Sequence, residues 1–304
     1  MYSTVEYILY VYHTMIGKDL LPIGIMKQKS TQSLIDLLRK THHAEWEATP
    51  SAQEANSWLN DLVQFLFPSN HLLKASSYEG MLKKNQIDLE NILLSYLDPK
   101  EVQIEKAVES FYQSLEDIYQ NLRKDASRIF ECDPAATSVN EVIVSYPGFY
   151  AITVYRIANR LVQLNIPVLP RIISEHAHGK TGIDIHPNAT IGVPFVIDHG
   201  TGIVIGATSV IGKNVIMYQG VTLGALYVSK IMAEIKRHPT IEDNVIIYAR
   251  TTILGGNTVV GANSIIGGSV FVTKSIAPDS QVFNTHQLRI TSKSDAEKSV
   301  KRNV

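Results

Sequence analysis

The sequence predicts an α+β fold, in which an all-helical N-terminal half is followed by a β-solenoid with one projecting loop. Residues 1 to about 180 carry helix start and stop signals and apolar residues at helical spacing. From Ile183 onwards, aliphatic residues recur every six positions, a period that fits neither an isolated helix nor a simple strand. We therefore expect a helical domain at 1–180, a solenoid domain at 181–280 and a C-terminal tail at 281–304.

Two segments illustrate the helical half. Ser51 and Glu54 form a capping-box pattern, and the apolar face that follows is interrupted at Pro68. A second helix is expected to begin at Asp98-Pro99 and to run past Leu122. Its apolar face comprises Val102, Ile104, Ala107, Val108, Phe111, Leu115, Ile118 and Leu122. The whole half is expected to contain six to eight helices.

The six-residue period indicates a solenoid of about five coils of about 18 residues, in which three short faces close each coil. The aliphatic residues that keep this period, and that we expect to point inward, are Ile185, Ile191, Ile197, Ile203, Ile205, Ile211, Met217, Leu223, Ile241, Ile247, Ile253, Val259, Ile265 and Phe271. The pattern fails between Leu223 and Ile241, which predicts a loop that projects from a coil corner. Loops on a rigid scaffold often carry functional sites.

Composition excludes several classes of protein. Lys and Arg number 28 against 29 Asp and Glu, so nothing favours a nucleic acid as a partner. No apolar run reaches the roughly 18 residues of a membrane span, and the segment Met1–Ile16 lacks the basic start of a secretory signal. The single cysteine, Cys132, cannot form an intramolecular disulfide. We expect a cytoplasmic protein without a membrane partner.

Two histidines in the solenoid are candidates for chemistry. His199 lies where the repeat changes phase, and Asp184 precedes it by most of one coil, so that a neighbouring coil brings the two within plausible reach. A carboxylate that orients an imidazole makes a general base, although such pairs also arise for structural reasons. Arg237 and His238 end the projecting loop, and a guanidinium suits a carboxylate ligand. A solvated loop pair is the alternative.

A metal site is not expected. The histidines of the solenoid, His186, His199 and His238, lack the short spacing typical of zinc ligands.

Six motifs stand out along the chain. In the solenoid these are Thr181–Pro187, Asp198–Val204, Val221–Gly224 and Arg237–Pro239; in the helical half they are Glu131–Pro134 and Tyr155–Ala158. In this order they resemble the motifs of the serine O-acetyltransferase family. The resemblance implies a left-handed parallel β-helix of hexapeptide repeats that forms a homotrimer, or a hexamer when helical domains pair. It also implies acetyl transfer from acetyl-CoA to the hydroxyl of L-serine, giving O-acetylserine for cysteine biosynthesis.

The resemblance assigns roles to individual residues. His199 would remove the serine hydroxyl proton, and Asp184 would orient it. The residues implied to bind serine are Asp133 and Asp198 for its ammonium and Arg237 and His238 for its carboxylate. The residues implied to line the acetyl-CoA groove are Gly224, Ala225, Ala249 and Lys274. No nucleophile is implied, so transfer would be direct, without an acetyl-enzyme.

The chain departs from the family pattern at three places. Ala225–Lys230 replaces a glycine-rich loop, as in a longer-loop subgroup, Val282–His286 replaces a Gly-x-Pro-Ala segment after the last coil, and the chain ends in Val304 instead of isoleucine. We therefore do not expect a complex with O-acetylserine sulfhydrylase. L-cysteine is a possible feedback inhibitor that would compete at the serine pocket. The alternatives are an acetyltransferase of the same repeat class that acts on a sugar or another alcohol, and a non-catalytic trimeric β-helix scaffold.

Overall fold

The computed structural model describes residues 27–45, 49–68, 77–99, 103–227 and 235–285. The chain divides into two compact units, Met1–Thr49 and Pro50–Val304. The first unit contributes one described helix, α1 (Lys27–Glu45). The predictions made for the N-terminal segment Met1–Ile16, for the loop segment 228–230 and for the chain end at 286–304 lie outside the described residues.

The second unit begins with helices, as the sequence predicted. They are α2 (Ala52–Leu66), α3 (Tyr78–Leu94), α4 (Ile104–Gln113), α5 (Leu115–Cys132), α6 (Val139–Ser145), α7 (Pro147–Gln163) and α8 (Leu169–Thr181). The predicted cap of α2 is confirmed, because the Ser51 hydroxyl accepts a hydrogen bond from the Glu54 amide at 3.3 Å. With α1, the described part of the chain contains eight helices, within the six to eight expected.

The long helix predicted from Asp98 onwards is wrong in its bounds. In the structure, α4 begins at Ile104, and the helix is interrupted at Ser114, so that α4 and α5 together carry the predicted apolar face. At the break, the Ser114 hydroxyl and amide both donate to the Phe111 carbonyl, at 2.6 and 3.0 Å. This local bond competes with the helical pattern. Val102, which the prediction placed on the same face, lies outside the described residues.

The strands that follow α8 form a parallel β-solenoid of about five coils. Sheet A contains β1 (Asp184–Ile185), β4 (Val204–Ile205), β7 (Thr222–Gly224), β10 (Thr252–Leu254) and β13 (Phe271–Val272). Sheet B contains β2 (Thr190–Ile191), β5 (Val210–Ile211), β8 (Thr240–Ile241) and β11 (Val259–Val260). Sheet C contains β3 (Phe195–Asp198), β6 (Val215–Tyr218), β9 (Ile246–Ile247), β12 (Ile265–Ile266) and β14 (Gln281–Val282). The chain passes from sheet A to B to C in each of the first four coils, and the coils pair in parallel register.

The predicted inward column is correct from Ile185 to Ile253, where every member is buried. It is wrong for the last three positions. Val260, Ile266 and Val272 fill the interior instead, whereas Phe271 is 67% exposed. The coil that joins Thr252 to Phe271 is one residue longer than the coil that joins Val204 to Thr222. One extra residue reverses which side chains of a strand face inward.

A buried ion pair joins the helices to the first coil. Arg156 on α7 donates from Nε and Nη2 to the two carboxylate oxygens of Asp125 on α5, at 2.6 and 2.8 Å. The same guanidinium reaches the Gly192 carbonyl at 3.2 Å, and the Phe195 amide donates to Asp125 Oδ1 at 2.8 Å. The helix that ends at Cys132 is thereby tied to strand β3, which ends at Asp198.

Among the described helices, none combines the length and the apolar character that crossing a bilayer requires.

Candidate active site

The first part of the site is the corner that follows β3. Asp198 ends the strand, and His199 follows in the left-handed region with φ of 56°, a conformation that is strained for a residue other than glycine. Gly200 and Gly202 also have positive φ, so the extra residues of this coil form a bulged corner. The His199 side chain is 73% exposed, and its Nδ1 lies 3.8 Å from Asp198 Oδ1. An accessible imidazole beside a carboxylate can act as a base.

Asp133 reaches the same corner from the helical part. It caps the C-terminus of α5, and its carboxylate accepts hydrogen bonds from the Tyr146 hydroxyl at 2.6 Å and from the Ala135 amide at 2.8 Å. These two bonds, and the positive charge that His199 can carry, lower the pKa of Asp133. Asp133 is therefore a carboxylate at neutral pH and belongs to the electrostatic surroundings of His199.

Sequence reasoning missed two tyrosines at this corner. Tyr146 binds Asp133, and this contact raises the pKa of the phenol to about 12. Tyr218 pairs in register with Asp198 one coil along, so both belong to the same edge of sheet C. Burial raises the pKa of Tyr218, and the negative charges of Asp198 and Asp133 raise it further. Tyr218 follows Asp198 by 20 residues, which is longer than the expected coil of about 18, so the coil period alone did not pair the two.

The second part of the site is the corner between sheets A and B. Here Arg237 and His238 close the projecting loop, immediately before β8. His238 is only 8% exposed, and burial together with the charges of Arg237 and Lys236 lowers its pKa to about 4. Thr208, at the corner after β4, contacts His238 Nδ1 through its hydroxyl at 2.8 Å. The two residues predicted at the loop end therefore remain together, and His238 is neutral at physiological pH.

Asp184, at the start of β1, lies beside helix α8. Its carboxylate, the Glu175 carboxylate and a His178 ring nitrogen all lie within 4.8 Å of one another. His178 Nδ1 is 3.1 Å from Glu175, and Glu175 also pairs with Arg171. These groups could supply one nitrogen and two oxygen ligands to a cation, but Arg171 already neutralises Glu175. The pairing of Asp184 with His199 stays a prediction, and so does the expectation of no metal.

The residues predicted to line the acetyl-CoA groove fall at both ends of sheet A. Gly224 ends β7 and pairs with Leu254, whose Cδ2 would lie 2.7 Å from a Cβ at position 224. Ala225 follows Gly224, whereas half-buried Ala249 precedes β10 at the opposite end of the sheet. Lys274 follows β13 and is exposed. The small size of Gly224 thus makes room for Leu254 of the next coil.

The topology separates the two parts of the site within one chain. His199, Asp198 and Asp133 lie where sheet C passes into sheet A, and Arg237 and His238 lie where sheet A passes into sheet B. The strands of sheet A run between these corners. A ligand that touches both sets must therefore span the face of sheet A, or must lie between two copies of the chain.

Comparisons with known proteins indicate the family of the chain. A family profile described as "Serine acetyltransferase, N-terminal" matches residues 63–154. Over an aligned stretch of 152 residues, which makes up 48% of each chain, the chain is 49% identical to "Serine acetyltransferase, plasmid" of Synechococcus elongatus. It spans between 48% and 61% of the length of the curated relatives that it matches first.

Two solved structures show the same fold over longer stretches. Serine acetyltransferase 1 of Entamoeba histolytica, in complex with L-cysteine, is 32% identical with a TM-score of 0.69, covering 78% of this chain and 87% of that one. A serine acetyltransferase in complex with CoA is 26% identical with a TM-score of 0.52, covering 76% of this chain and 94% of that one. The combination of helices, solenoid and sequence identity shows that the chain belongs to the serine acetyltransferase family.

Proposed function

We propose that the protein is a serine O-acetyltransferase, which transfers the acetyl group of acetyl-CoA to the hydroxyl of L-serine and releases CoA and O-acetylserine. The observation that carries this proposal is the corner after β3, where an exposed imidazole lies among carboxylates in a chain of this family. In this reaction the serine oxygen forms a bond to the thioester carbonyl carbon, and the carbon–sulfur bond breaks.

His199 is the group that takes the serine hydroxyl proton and passes it to the leaving CoA thiolate. Its exposure leaves the ring open to substrate, and the Asp198 carboxylate 3.8 Å away stabilises the imidazolium that forms. The family resemblance implies that Asp184 orients the His199 ring, and we propose the same role for it here. Direct transfer follows from this assignment, because the corner offers a base and no nucleophile is needed.

The charges of the two corners, taken together, suit a zwitterionic amino acid. Asp133, held as a carboxylate by Tyr146 and by the Ala135 amide, binds the serine ammonium together with Asp198. Arg237 binds the serine carboxylate, and His238 completes that pocket. A neutral sugar has neither an ammonium nor a carboxylate group to pair with these opposite charges, which favours serine over a polyol.

The separation of the two corners supports a site built between subunits. We propose a homotrimer, in which Arg237 and His238 of one subunit face His199 of a neighbour around a closed ring. We also propose the left-handed winding that the family resemblance implies. The domain bounds that we propose are a helical domain at 1–180, a solenoid at 181–280 and a tail at 281–304. A hexamer would add contacts between helical domains.

Acetyl-CoA is the second substrate, as the CoA complex of a relative supports. We place it along Gly224, Ala225 and Ala249, with exposed Lys274 near a phosphate. L-cysteine is bound by another relative and is proposed here as an inhibitor at the serine pocket. The cytoplasm, where acetyl-CoA and free thiols are available, is the proposed location.

The test is CoA release from acetyl-CoA by the purified chain, measured with a thiol reagent, with L-serine, L-homoserine and a galactoside as acceptors. Release that depends on L-serine supports the proposal. Release with the galactoside alone would assign the fold and the base to another alcohol, and the absence of release with all three acceptors would leave a non-catalytic scaffold. Mass measurement of the product separates acetyl transfer from thioester hydrolysis.

A further inference from the structure

Thr208 makes four hydrogen-bond contacts with the two residues that close the projecting loop. Its hydroxyl oxygen accepts from the Arg237 amide at 2.9 Å and from the His238 amide at 3.0 Å. The same hydroxyl lies 2.8 Å from His238 Nδ1, and the Thr208 amide donates to that nitrogen at 3.1 Å. Thr208 thus binds the backbone and the ring of the loop end at once.

These contacts determine which ring nitrogen of His238 carries its proton. A backbone N–H can only donate, so Nδ1 must accept and cannot itself be protonated while this bond exists. The Thr208 oxygen already accepts two amide protons, which leaves its own proton free to point at Nδ1. The neutral ring therefore carries its hydrogen on Nε2.

The surroundings of His238 keep it neutral. The ring is buried, and the charged groups beside it are Lys236 and Arg237 of its own segment, which both oppose a further positive charge. His186 on the adjacent corner is itself neutral, because burial lowers its pKa to about 4. Lys236 also donates to the carbonyls of Thr208 at 2.9 Å and of His238 at 2.6 Å, which holds the two segments together.

The ring is seated over Gly206. A Cβ at that position would lie 2.0 Å from Cδ2 and 2.1 Å from Nε2 of His238, so only glycine allows this placement. Arg237, which is next to His238 in the chain, belongs to the same corner. Nδ1 is thus directed toward Thr208, and Nε2 lies against Gly206 at the same corner as Arg237.

We propose that Thr208 is a positioning residue, which holds His238 as the Nε2–H tautomer so that a neutral donor stands beside Arg237 for the carboxylate of the amino-acid substrate. The proposal rests on the proposed function. A ring free to change tautomer would spend part of its time with a lone pair directed at the carboxylate, which would repel it. The Thr208 contacts remove that state.

The tautomer is tested directly by nitrogen NMR of the full chain labelled with ¹⁵N-histidine, in which protonated and unprotonated ring nitrogens give distinct signals. The His238 signals are assigned by their loss in His238→Gln. We expect a protonated Nε2 and an unprotonated Nδ1 at neutral pH. A protonated Nδ1 would overturn the proposal, and this readout needs neither activity nor a Thr208 variant.

Kinetics test the positioning role. Thr208→Val keeps the shape and removes the hydroxyl, which makes three of the four contacts, and leaves only the bond from the backbone amide of residue 208 to Nδ1. The ring and the loop end are then held less firmly, and we expect the KM for serine to rise about tenfold, as for the loss of one hydrogen bond to the substrate, with kcat and the KM for acetyl-CoA little changed. Thr208→Ser restores the hydroxyl and should restore the KM. A serine KM within twofold of the unaltered protein in Thr208→Val would contradict the proposal.

Two further controls separate the possible causes of failure. If Thr208→Val does not fold, as judged by circular dichroism, the NMR result still decides the question, because a protonated Nδ1 in the unaltered protein overturns the proposal. If the unaltered protein transfers no acetyl group to serine, the proposed function fails, whereas the tautomer is still measured.

Discussion

The buried pair of Asp125 and Arg156 allows a quantitative prediction about stability. Their side chains are 0% and 8% exposed, and the contact is bidentate. Asp125→Asn keeps the shape of the side chain but leaves the Arg156 charge buried without its counter-ion. Breaking a buried pair in this way costs about 3–5 kcal/mol. At about 2–4 °C per kcal/mol for a unit of this size, the unfolding midpoint should fall by about 6–20 °C.

The assay is thermal and denaturant unfolding at one fixed protein concentration, because assembly would otherwise change the apparent stability. The matched control is Asp61→Asn, which breaks the pair of Asp61 with Lys84, whose side chains are 50% and 64% exposed. That change should cost at most about 1 kcal/mol. Equal losses in Asp125→Asn and Asp61→Asn would refute the reasoning, since burial is the only difference that it uses.

A double variant separates the effect of the buried charges on stability from the effect of side-chain packing. Replacing Asp125 by Leu and Arg156 by Met removes both charges, and such replacements are often neutral when the packing is retained. Here the Phe195 amide would lose its acceptor, which costs about 1–3 kcal/mol. The double variant should therefore recover part of the loss seen in Asp125→Asn, and not all of it.

Three further predictions concern the site. His199→Ala should lower turnover roughly 100-fold to 10,000-fold in a folded protein; near-normal turnover would remove His199 from its role as base. Arg237→Ala should raise the KM for serine and spare acetyl-CoA, while Arg123→Ala, an exposed arginine on α5, should change neither. Tyr146→Phe removes a bond that lowers the pKa of Asp133. The loss of kcat/KM for serine on acidification should then begin at a higher pH, measured between about pH 4 and pH 7; an unchanged profile would contradict the assignment of Asp133.

The six-residue period predicted the solenoid because an inward position is a local property of the chain. Each coil needs one aliphatic residue per face, so the requirement is visible without knowledge of neighbouring coils. The prediction became wrong after Ile253, because a single extra residue near Gly255 left two apolar candidates side by side at each later position. Val259 and Val260 are equally apolar, and only the coil length decides which of them faces inward.

The site residues were predictable to the extent that they carry charge or an imidazole at an irregular place. Tyr146, Tyr218 and Thr208 were not, because each is an ordinary residue of its segment. Tyr146 precedes helix α7, Tyr218 ends a strand, and Thr208 lies at a regular corner. Their roles depend on what the next coil or the helical part places against them, and this information is absent from local sequence.

The candidate residues of the solenoid lie mainly where its repeat fails, and the physical reason connects stability with function. A regular coil directs its aliphatic residues inward and closes its corners with short turns, so it offers no concave surface. His199 lies on a corner with extra residues and a strained φ, and Arg237 ends the inserted loop. Strain of this kind costs about 1–3 kcal/mol and persists only where surrounding structure compensates for it. The buried aliphatic column beneath both corners provides that compensation, which explains how a fold made mostly of two-residue strands can hold reactive groups in place.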